Sequence, residues 1–319
     1  MKATAIAPSN IAFIKYWGKK DEELKLPANG SISMNLSNLL TTTTVEFNSD
    51  FKEDSVTINK ENDLKQSAKV IKHLDLIRKK ANIFLKAKVV SKNNFPNGTG
   101  LSSSASGFAA LTLATIKALG LKLNEKKLSI LARQGSGSAC RSIPDGFVEW
   151  EGEWAKSIYP PDYWKIVDVI AIVSSQKKEI SSTDGQKFAQ TSPFFQTRLN
   201  NLKDKIHRFK KALETKNFTN LGEIIESEAL ELHAIMLTST PSLIYWCPET
   251  LKLMKLVKQW RSEGLDVYFT LNTGQDVHLI VEEKNKDKLI YRLKEIKEIK
   301  KFIVNRPAIG VRLTKDHLF

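Results

Sequence analysis

The segment Asn94-Phe95-Pro96-Asn97-Gly98-Thr99-Gly100-Leu101-Ser102-Ser103-Ser104-Ala105 constrains the fold most. Before it, residues 84–90 alternate with the period of a strand. After it, residues 103–119 set Phe108, Leu111, Thr115 and Leu119 along one helical face. Strand, glycine-bearing loop and helix in succession belong to a mixed architecture of sheets covered by helices. The glycines permit close backbone approach, and the hydroxyl-rich end is a helix N-terminus whose free N–H groups and dipole favour phosphate. The loop lacks the closing Gly-Lys-Ser/Thr of a Walker A motif and the strand, spacing and acid of a dinucleotide fingerprint. An ordinary capped helix after a turn explains the same residues, so on its own the loop leaves both readings open.

The chain has 319 residues, enough for one large mixed domain or two domains across a cleft. Hydrophobic residues make up 41% and charged residues 26%, which excludes a disordered or collagenous chain. No stretch approaches the roughly 20 apolar residues of a membrane span, and the N-terminus carries no signal-type cleavage region. Cys140 and Cys247 are the only cysteines, too few for a disulfide framework or a zinc cluster. The expectation is a soluble, cytoplasmic protein. Its net charge of +14 comes from 40 Lys and 9 Arg against 35 acids. Nucleic acid, a membrane surface or an acidic substrate could each use that charge, but the lysines are dispersed, as on a solvated face.

Residues 41–47 read as a β-branched strand, 63–80 and 124–134 as helices, and 147–150 and 166–174 as strands. The texture changes near residue 175. A polar segment gives way to helix-rich sequence at 193–236 and to a helix opened by Pro248. Strands at 267–271 and 277–282 flank a turn at Gly274, a Lys/Glu helix follows at 286–299, and Ile303 and Val311 mark closing strands. Two α+β domains, 1–175 and 176–319, with a ligand cleft between them are expected.

Two further segments carry chemistry. Gly135-Ser136-Gly137-Ser138-Ala139-Cys140-Arg141-Ser142 is a second small-residue loop with one Arg, able to fork onto a carboxylate or phosphate. A tight turn with a surface Arg is its plain alternative. Asn10 to Lys19 adds an amide, Lys15, Tyr16, Trp17 and Lys19. Together the three segments suit a substrate with several negative charges.

These residues resemble the diphosphomevalonate decarboxylase family, within the galactokinase/homoserine kinase/mevalonate kinase (GHMP) superfamily. The likeness rests on Ala7-Pro8-Ser9-Asn10-Ile11-Ala12 through Lys15-Tyr16-Trp17-Gly18-Lys19, on the loop from Pro96 to Ala105, on the segment from Gly135 to Trp150, on His233-Ala234-Ile235-Met236 and on Tyr245-Trp246. It spans nearly the whole chain in order. The resemblance implies a GHMP-kinase fold, α+β, with an N-terminal half like ribosomal protein S5 domain 2 and a ferredoxin-like C-terminal half. It implies ATP-dependent decarboxylation of a 5-phosphorylated mevalonate, with ATP and Mg2+ as cofactors and no dedicated protein cage for the metal. Carried over by motif, Tyr16 and Lys19 contact substrate phosphate and Lys15 lies near the reaction centre. Ser136, Gly137 and Ser138 line the substrate, with Arg141 on its carboxylate. The ATP loop is Pro96, Gly98, Gly100, Leu101, Ser102, Ser103 and Ser104. The expected partner is the phosphorylated mevalonate, with no nucleic acid or membrane, and with a homodimer as a possible assembly.

Two departures from the family pattern stand out. The family opens the turn near residue 270 with a catalytic aspartate, as Asp-Ala-Gly-Pro-Asn. Here it reads Asn272-Thr273-Gly274-Gln275-Asp276, and an Asn cannot accept the hydroxyl proton. Either Asp276 supplies the charge, or positioning and phosphate oxygens suffice, or the protein is a mevalonate 3-kinase that does not decarboxylate. Asn-Thr-Gly is also simply a good β-turn. The other departure follows Ser181-Ser182, where diphosphate-using members place an Arg and this chain has Thr183. Ser182 and Thr183 are expected at the substrate; Thr183 weakens the case for the diphosphate and suits mevalonate 5-phosphate, and both substrates stay open. A basic RNA-binding protein on the same S5-like fold is the alternative from another class; salt-titrated RNA binding beside nucleotide-dependent thermal protection separates the two.

Overall fold

The computed structural model describes residues 1–96, 100–174, 178–299 and 301–319. The N-terminal part consists of strands β1 (Lys2–Ile14), β2 (Lys19–Asp21), β3 (Leu26–Pro27), β4 (Ser31–Asn48) and β5 (Ser55–Ile58), helix α1 (Leu64–Ala81), strand β6 (Lys86–Asn93), helices α2 (Ser103–Ala118) and α3 (Glu125–Gly135), a 3-10 turn (Gly137–Ser142), and strands β7 (Phe147–Glu151) and β8 (Trp154–Tyr159). Next come β9 (Ile166–Ile172), the short α4 (Ser182–Gly185), a 3-10 turn (Gln186–Thr191), helices α5 (Phe195–Glu214), α6 (Phe218–Thr238) and α7 (Pro248–Ser262), strands β10 (Tyr268–Thr270) and β11 (Val277–Glu282), helix α8 (Lys286–Lys294), and strands β12 (Lys301–Asn305) and β13 (Arg312–Thr314). Side chains cap two of these helices: Asp63 accepts from the Gln66 N–H at the start of α1 and Asn124 from the Lys127 N–H at the start of α3.

The larger sheet runs β13-β1-β4-β6-β5, with β7 and β8 continuing from the first part of β4. The smaller is antiparallel, in the order β10-β11-β9-β12. Sheet membership therefore changes between β8 and β9, ahead of the expected boundary at residue 175, and β13 returns to the first sheet. The cause is local: Ile166 to Ala171 are buried on both faces, which suits a central strand of the second sheet.

Helices α5 and α6 share one core with both sheets. Leu202, Phe209, Leu221 and Ile225 meet Ile11, Phe13 and Met34 from the first sheet and Ile170, Tyr268 and Ile280 from the second. On the far side of the first sheet, Ala3, Ala5 and Ala7 lie under Ala109, Ala110 and Ala114 of α2. Small side chains on both surfaces let α2 sit low over β1. That packing brings the N-terminus of α2 beside the end of β1, where the chemistry gathers. Among the described residues, no helix is long and apolar enough to cross a membrane.

Candidate active site

A cleft of about 250 Å3 opens where β1 ends. Lys15, Tyr16, Trp17 and Lys19 enter from the chain after β1, and Ser102, Ser103 and Ser104 from the start of α2. Ser136, Gly137, Ser138 and Arg141 come from the 3-10 turn, Lys178, Ser182 and Thr183 from the segment around α4, and Asn272 and Thr273 from the β10–β11 turn. Of the described residues lining it, none is acidic, whereas Lys25 and Lys69 add to the cations already named. A pocket walled this way draws a polyanion.

Two glycines allow its walls to meet. Gly100 has φ +104°, and a Cβ there would stand 2.8 Å from the Cα of Gly274, so loop and turn touch backbone to backbone. A Cβ on Gly137 would lie 2.9 Å from the Tyr16 hydroxyl oxygen. Ser102 caps α2 in the left-handed region without using its side chain as a cap. Its Oγ instead accepts from Asn272 Nδ2 at 3.3 Å, and Ser136 Oγ donates to Ser104 Oγ at 3.3 Å. The first-turn amides and hydroxyls of α2 therefore face the cleft with no acid in that turn, an arrangement suited to phosphate.

Arg141 is 4% exposed and pairs with no acidic side chain among the described residues. Its Nη1 donates to Ser31 Oγ at 2.8 Å, while Nε and Nη2 donate to Asn10 Oδ1 at 3.3 and 3.1 Å. Its guanidinium also sits 5.7 Å from the Trp150 ring centroid. Of five N–H donors, one remains on each terminal nitrogen. Burial pulls its pKa down, and an incoming anion would relieve that cost.

Lys15 is the most constrained cation. Its N–H donates to Glu228 Oε1 at 3.0 Å, and its carbonyl accepts from Asn29 Nδ2 at 2.8 Å and Arg198 Nη2 at 3.0 Å. Nζ lies 3.3 Å from Asn272 Oδ1. Burial lowers its pKa to about 7, against a partial rise from Glu228. His233 holds the same turn from α6: its Nε2 donates to the Asn272 carbonyl at 3.1 Å, and its ring stacks on Trp246. Burial keeps that imidazole neutral, with a pKa of about 3. Lys178 donates to Ser182 Oγ at 2.8 Å and to the Thr273 carbonyl at 3.1 Å, and burial lowers its pKa to about 8.

Asp276 is not brought into the cleft. The β11 register sets Val277 opposite Ala171, so the residue before it faces the chain leaving β9, and Asp276 Oδ1 accepts from the Val173 N–H at 3.0 Å. That oxygen ties the turn to the end of the second sheet, the other is buried without a hydrogen-bond partner among the described residues, and Asp276 is not among the residues lining the cleft. Burial raises its pKa to about 6. A raised value means this group's stabilising contribution is present below about pH 4 and lost as pH rises through about 6. Asp276→Asn should therefore stabilise the protein above pH 6 by roughly 1–3 kcal/mol and flatten the stability profile between about pH 4 and 6. Thermal melts across that range check it, and turnover should stay within about twofold, since Asp276 is not among the described residues lining the cleft. A collapse of turnover in a folded variant would return Asp276 to the site.

Pro96 is exposed and off the cleft, and Leu101 is buried in the shared core, its carbonyl accepting from Ser9 Oγ at 2.7 Å. Gly98 lies outside the described residues. Asn10, expected as an amide of the first segment, aims Arg141, whereas Asn29, Lys178, Arg198, Glu228 and His233 shape the cleft without having been expected there by role. The only sign of Glu228 in the sequence is a carboxylate within an apolar helical stretch.

The cleft's donor set of hydroxyls, amides and cations suits a metal that arrives on phosphate oxygens. Among the described residues, no group of three or more His, Cys, Asp or Glu is placed to hold one.

Residues 7–158 match the model of the diphosphomevalonate decarboxylase-like N-terminal domain, and residues 168–314 that of the mevalonate 5-diphosphate decarboxylase C-terminal domain. The diphosphomevalonate decarboxylase of Candida albicans is 35% identical over 90% of this chain and 86% of that protein. The mevalonate diphosphate decarboxylase structure from Staphylococcus aureus superposes with a TM-score of 0.94 at 37% identity, covering 98% of each chain. A complex of MDDEF with MVAPP, AMPPCP and magnesium does so with a TM-score of 0.92 at 40% identity, covering 99% of each chain.

Proposed function

The chain belongs to the diphosphomevalonate decarboxylase family, and from that premise we propose how its cleft carries out the reaction. The fold is that of the GHMP kinases, and the activity is ATP-dependent decarboxylation of a 5-phosphorylated mevalonate, with Mg2+. The observation that carries the assignment of residues is the cleft itself, with its phosphate-suited helix N-terminus beside a buried Arg that has no acidic partner among the described residues, and no acid in its described lining.

The α2 amides with Ser103 and Ser104 hold the nucleotide phosphates. Tyr16, Lys19 and Ser138 face the 5-phosphate end of the substrate, and Arg141 forks onto its carboxylate through the two free N–H groups. Fixing the carboxylate and the transferable phosphoryl group on opposite sides of one short molecule is what the reaction needs. Magnesium would arrive on the nucleotide phosphates beside Ser103 and Ser104 and, when bound, would reduce their charge. Loss of CO2 and phosphate builds positive charge at carbon 3, which a wall of bare cations would oppose, so the anions they bind must stay in place until the bonds break.

The diphosphate is the substrate assigned. Thr183 lines the cleft without a charge of its own, and Lys25, Lys69 and the Glu22-paired Lys19 line it as well. Supplying mevalonate, its 5-phosphate and its 5-diphosphate, each with magnesium-ATP, and measuring CO2 and products decides it. Turnover of the diphosphate is expected, with Thr183→Arg raising the diphosphate-to-monophosphate ratio by about tenfold, as one charged hydrogen bond would. Preference for the monophosphate would instead make Thr183 the determinant. Stable 3-phosphate without CO2 would make the protein a 3-kinase. We place the enzyme in the cytoplasm, where its two free thiols fit a reducing compartment, acting on a small molecule without nucleic acid, as a monomer or a homodimer.

A further inference from the structure

We propose that the Lys15 amine, not a turn carboxylate, takes the proton from the 3-hydroxyl of the substrate. This rests on the decarboxylase assignment above and fills the gap left at position 272. The β10–β11 turn offers the amide of Asn272, which has no basic oxygen. Asp276 lies outside the cleft lining, with Oδ1 accepting from the Val173 N–H, and no acidic side chain is among the described residues that line the cleft. One hydrogen bond from the amide, 3.3 Å from Asn272 Oδ1, stands Lys15 Nζ.

The substitution at 272 does two things at once. A carboxylate there would pair with Lys15 and hold it as an ammonium ion, useless as a base. An amide oxygen accepts the same hydrogen bond without fixing the charge. Asn272 Nδ2 donates to Ser102 Oγ, which orients Oδ1 toward Lys15. The neutral amine then keeps a lone pair beside the start of the phosphate-binding helix.

The charges facing Lys15 decide how easily it stays neutral. Glu228 on α6 and Asp168 on β9 favour the ammonium; Arg141 of the 3-10 turn and Arg198 on α5 oppose it. His233 on α6 is neutral, and Asp168 is itself engaged by His278 of β11 at 3.0 Å. Glu228 is likewise spent on Arg198 and Lys205. Burial tips the balance, leaving Lys15 with a pKa of about 7.

The step balances. The lone pair of Lys15 takes the hydroxyl proton as the oxygen bonds to the γ-phosphorus of ATP. The bond from that phosphorus to the β–γ bridging oxygen breaks, and ADP leaves with the electron pair. When the C3–O bond of the 3-phosphate later breaks, its pair leaves with phosphate, and the carboxylate C–C pair becomes the C2–C3 double bond as CO2 departs. The ammonium of Lys15 returns its proton to that phosphate, and the amine is regenerated.

The test compares wild type, Lys15→Arg, Asn272→Asp and the double variant, reading CO2 release with mevalonate 5-phosphate and 5-diphosphate from pH 5 to 9, alongside thermal protection by AMPPCP with magnesium. Arg keeps the charge but cannot accept a proton, so Lys15→Arg should lose turnover by about 10²-fold or more while AMPPCP still protects it. Wild-type kcat/KM should fall tenfold per pH unit below about 7. The double variant should recover part of the rate through its new carboxylate, with the acidic limb displaced to lower pH. Wild-type turnover in Lys15→Arg, a flat wild-type profile down to pH 5, or a double variant no faster than Lys15→Arg would each overturn the proposal and leave the decarboxylase assignment standing. Failure of wild type to release CO2 from either substrate would remove both.

Discussion

Arg141→Gln is expected to lower turnover by about 10²–10³-fold while leaving the free protein as stable as wild type or slightly more so. The two halves of this result have one cause. Arg141 is buried, is hydrogen-bonded only to the neutral Ser31 and Asn10, and has no acidic partner among the described residues. A buried cation without a counter-charge is a cost to the folded state. Gln removes that cost and retains donors toward Ser31 or Asn10. With substrate present the sign reverses. A bidentate contact to a carboxylate disappears, and charged hydrogen bonds of this kind are each worth roughly 1.5–3 kcal/mol. Steady-state kinetics and melting curves with and without substrate check both halves. An unchanged rate in the folded variant would take Arg141 out of the site, and a strongly destabilised free protein would make it a structural residue.

Arg141 also shows what can be read along a chain. The motif around it, the hydroxyls before α2 and the Lys15-Tyr16-Trp17-Gly18-Lys19 run are each contiguous, so residue type and spacing exposed them before any folding was considered. Three dimensions then added the supports. Asn10 aims the guanidinium, Glu228 and Arg198 pin the Lys15 backbone, and His233 grips the turn from a helix. None of these pairs is close in sequence, and only packing brings them together. Asp276 illustrates the opposite error. Four residues from Asn272 it looked available, but strand register turned it toward β9. The fold behaved similarly: α1 and α3 were legible from helical period and α7 from its opening Pro248, whereas β1 and β4 are longer than their short apolar runs suggest. Much of their mixture of Ala, Ser, Thr and Asn is tolerated in buried strands because neighbouring strands and α2 meet the polar groups, as Thr44 does for Thr4, Ser91 for Thr43 and Ser106 for Thr41.

The support under Lys15 carries the other large effect. Glu228 is fully buried and accepts from Arg198, from Lys205 at 3.0 Å and from the Lys15 N–H. Among the described residues, removing its charge leaves Arg198 with neutral acceptors alone, and Lys205 with only the more exposed Glu231. Breaking a buried ion pair from one side costs about 3–5 kcal/mol, so Glu228→Gln should lower Tm by on the order of 10 °C. Joint replacement of Glu228 by Leu and of Arg198 and Lys205 by Met should recover much of that loss, because it removes the stranded charges as well. Glu228 also raises the pKa of Lys15. Its neutral substitute should let that pKa fall, moving the acidic limb of the rate profile to lower pH in the protein that remains folded. A limb that does not move would mean the Lys15 amine is not the group being titrated. An unchanged Tm would mean the network around Glu228 contributes no more than a surface pair does.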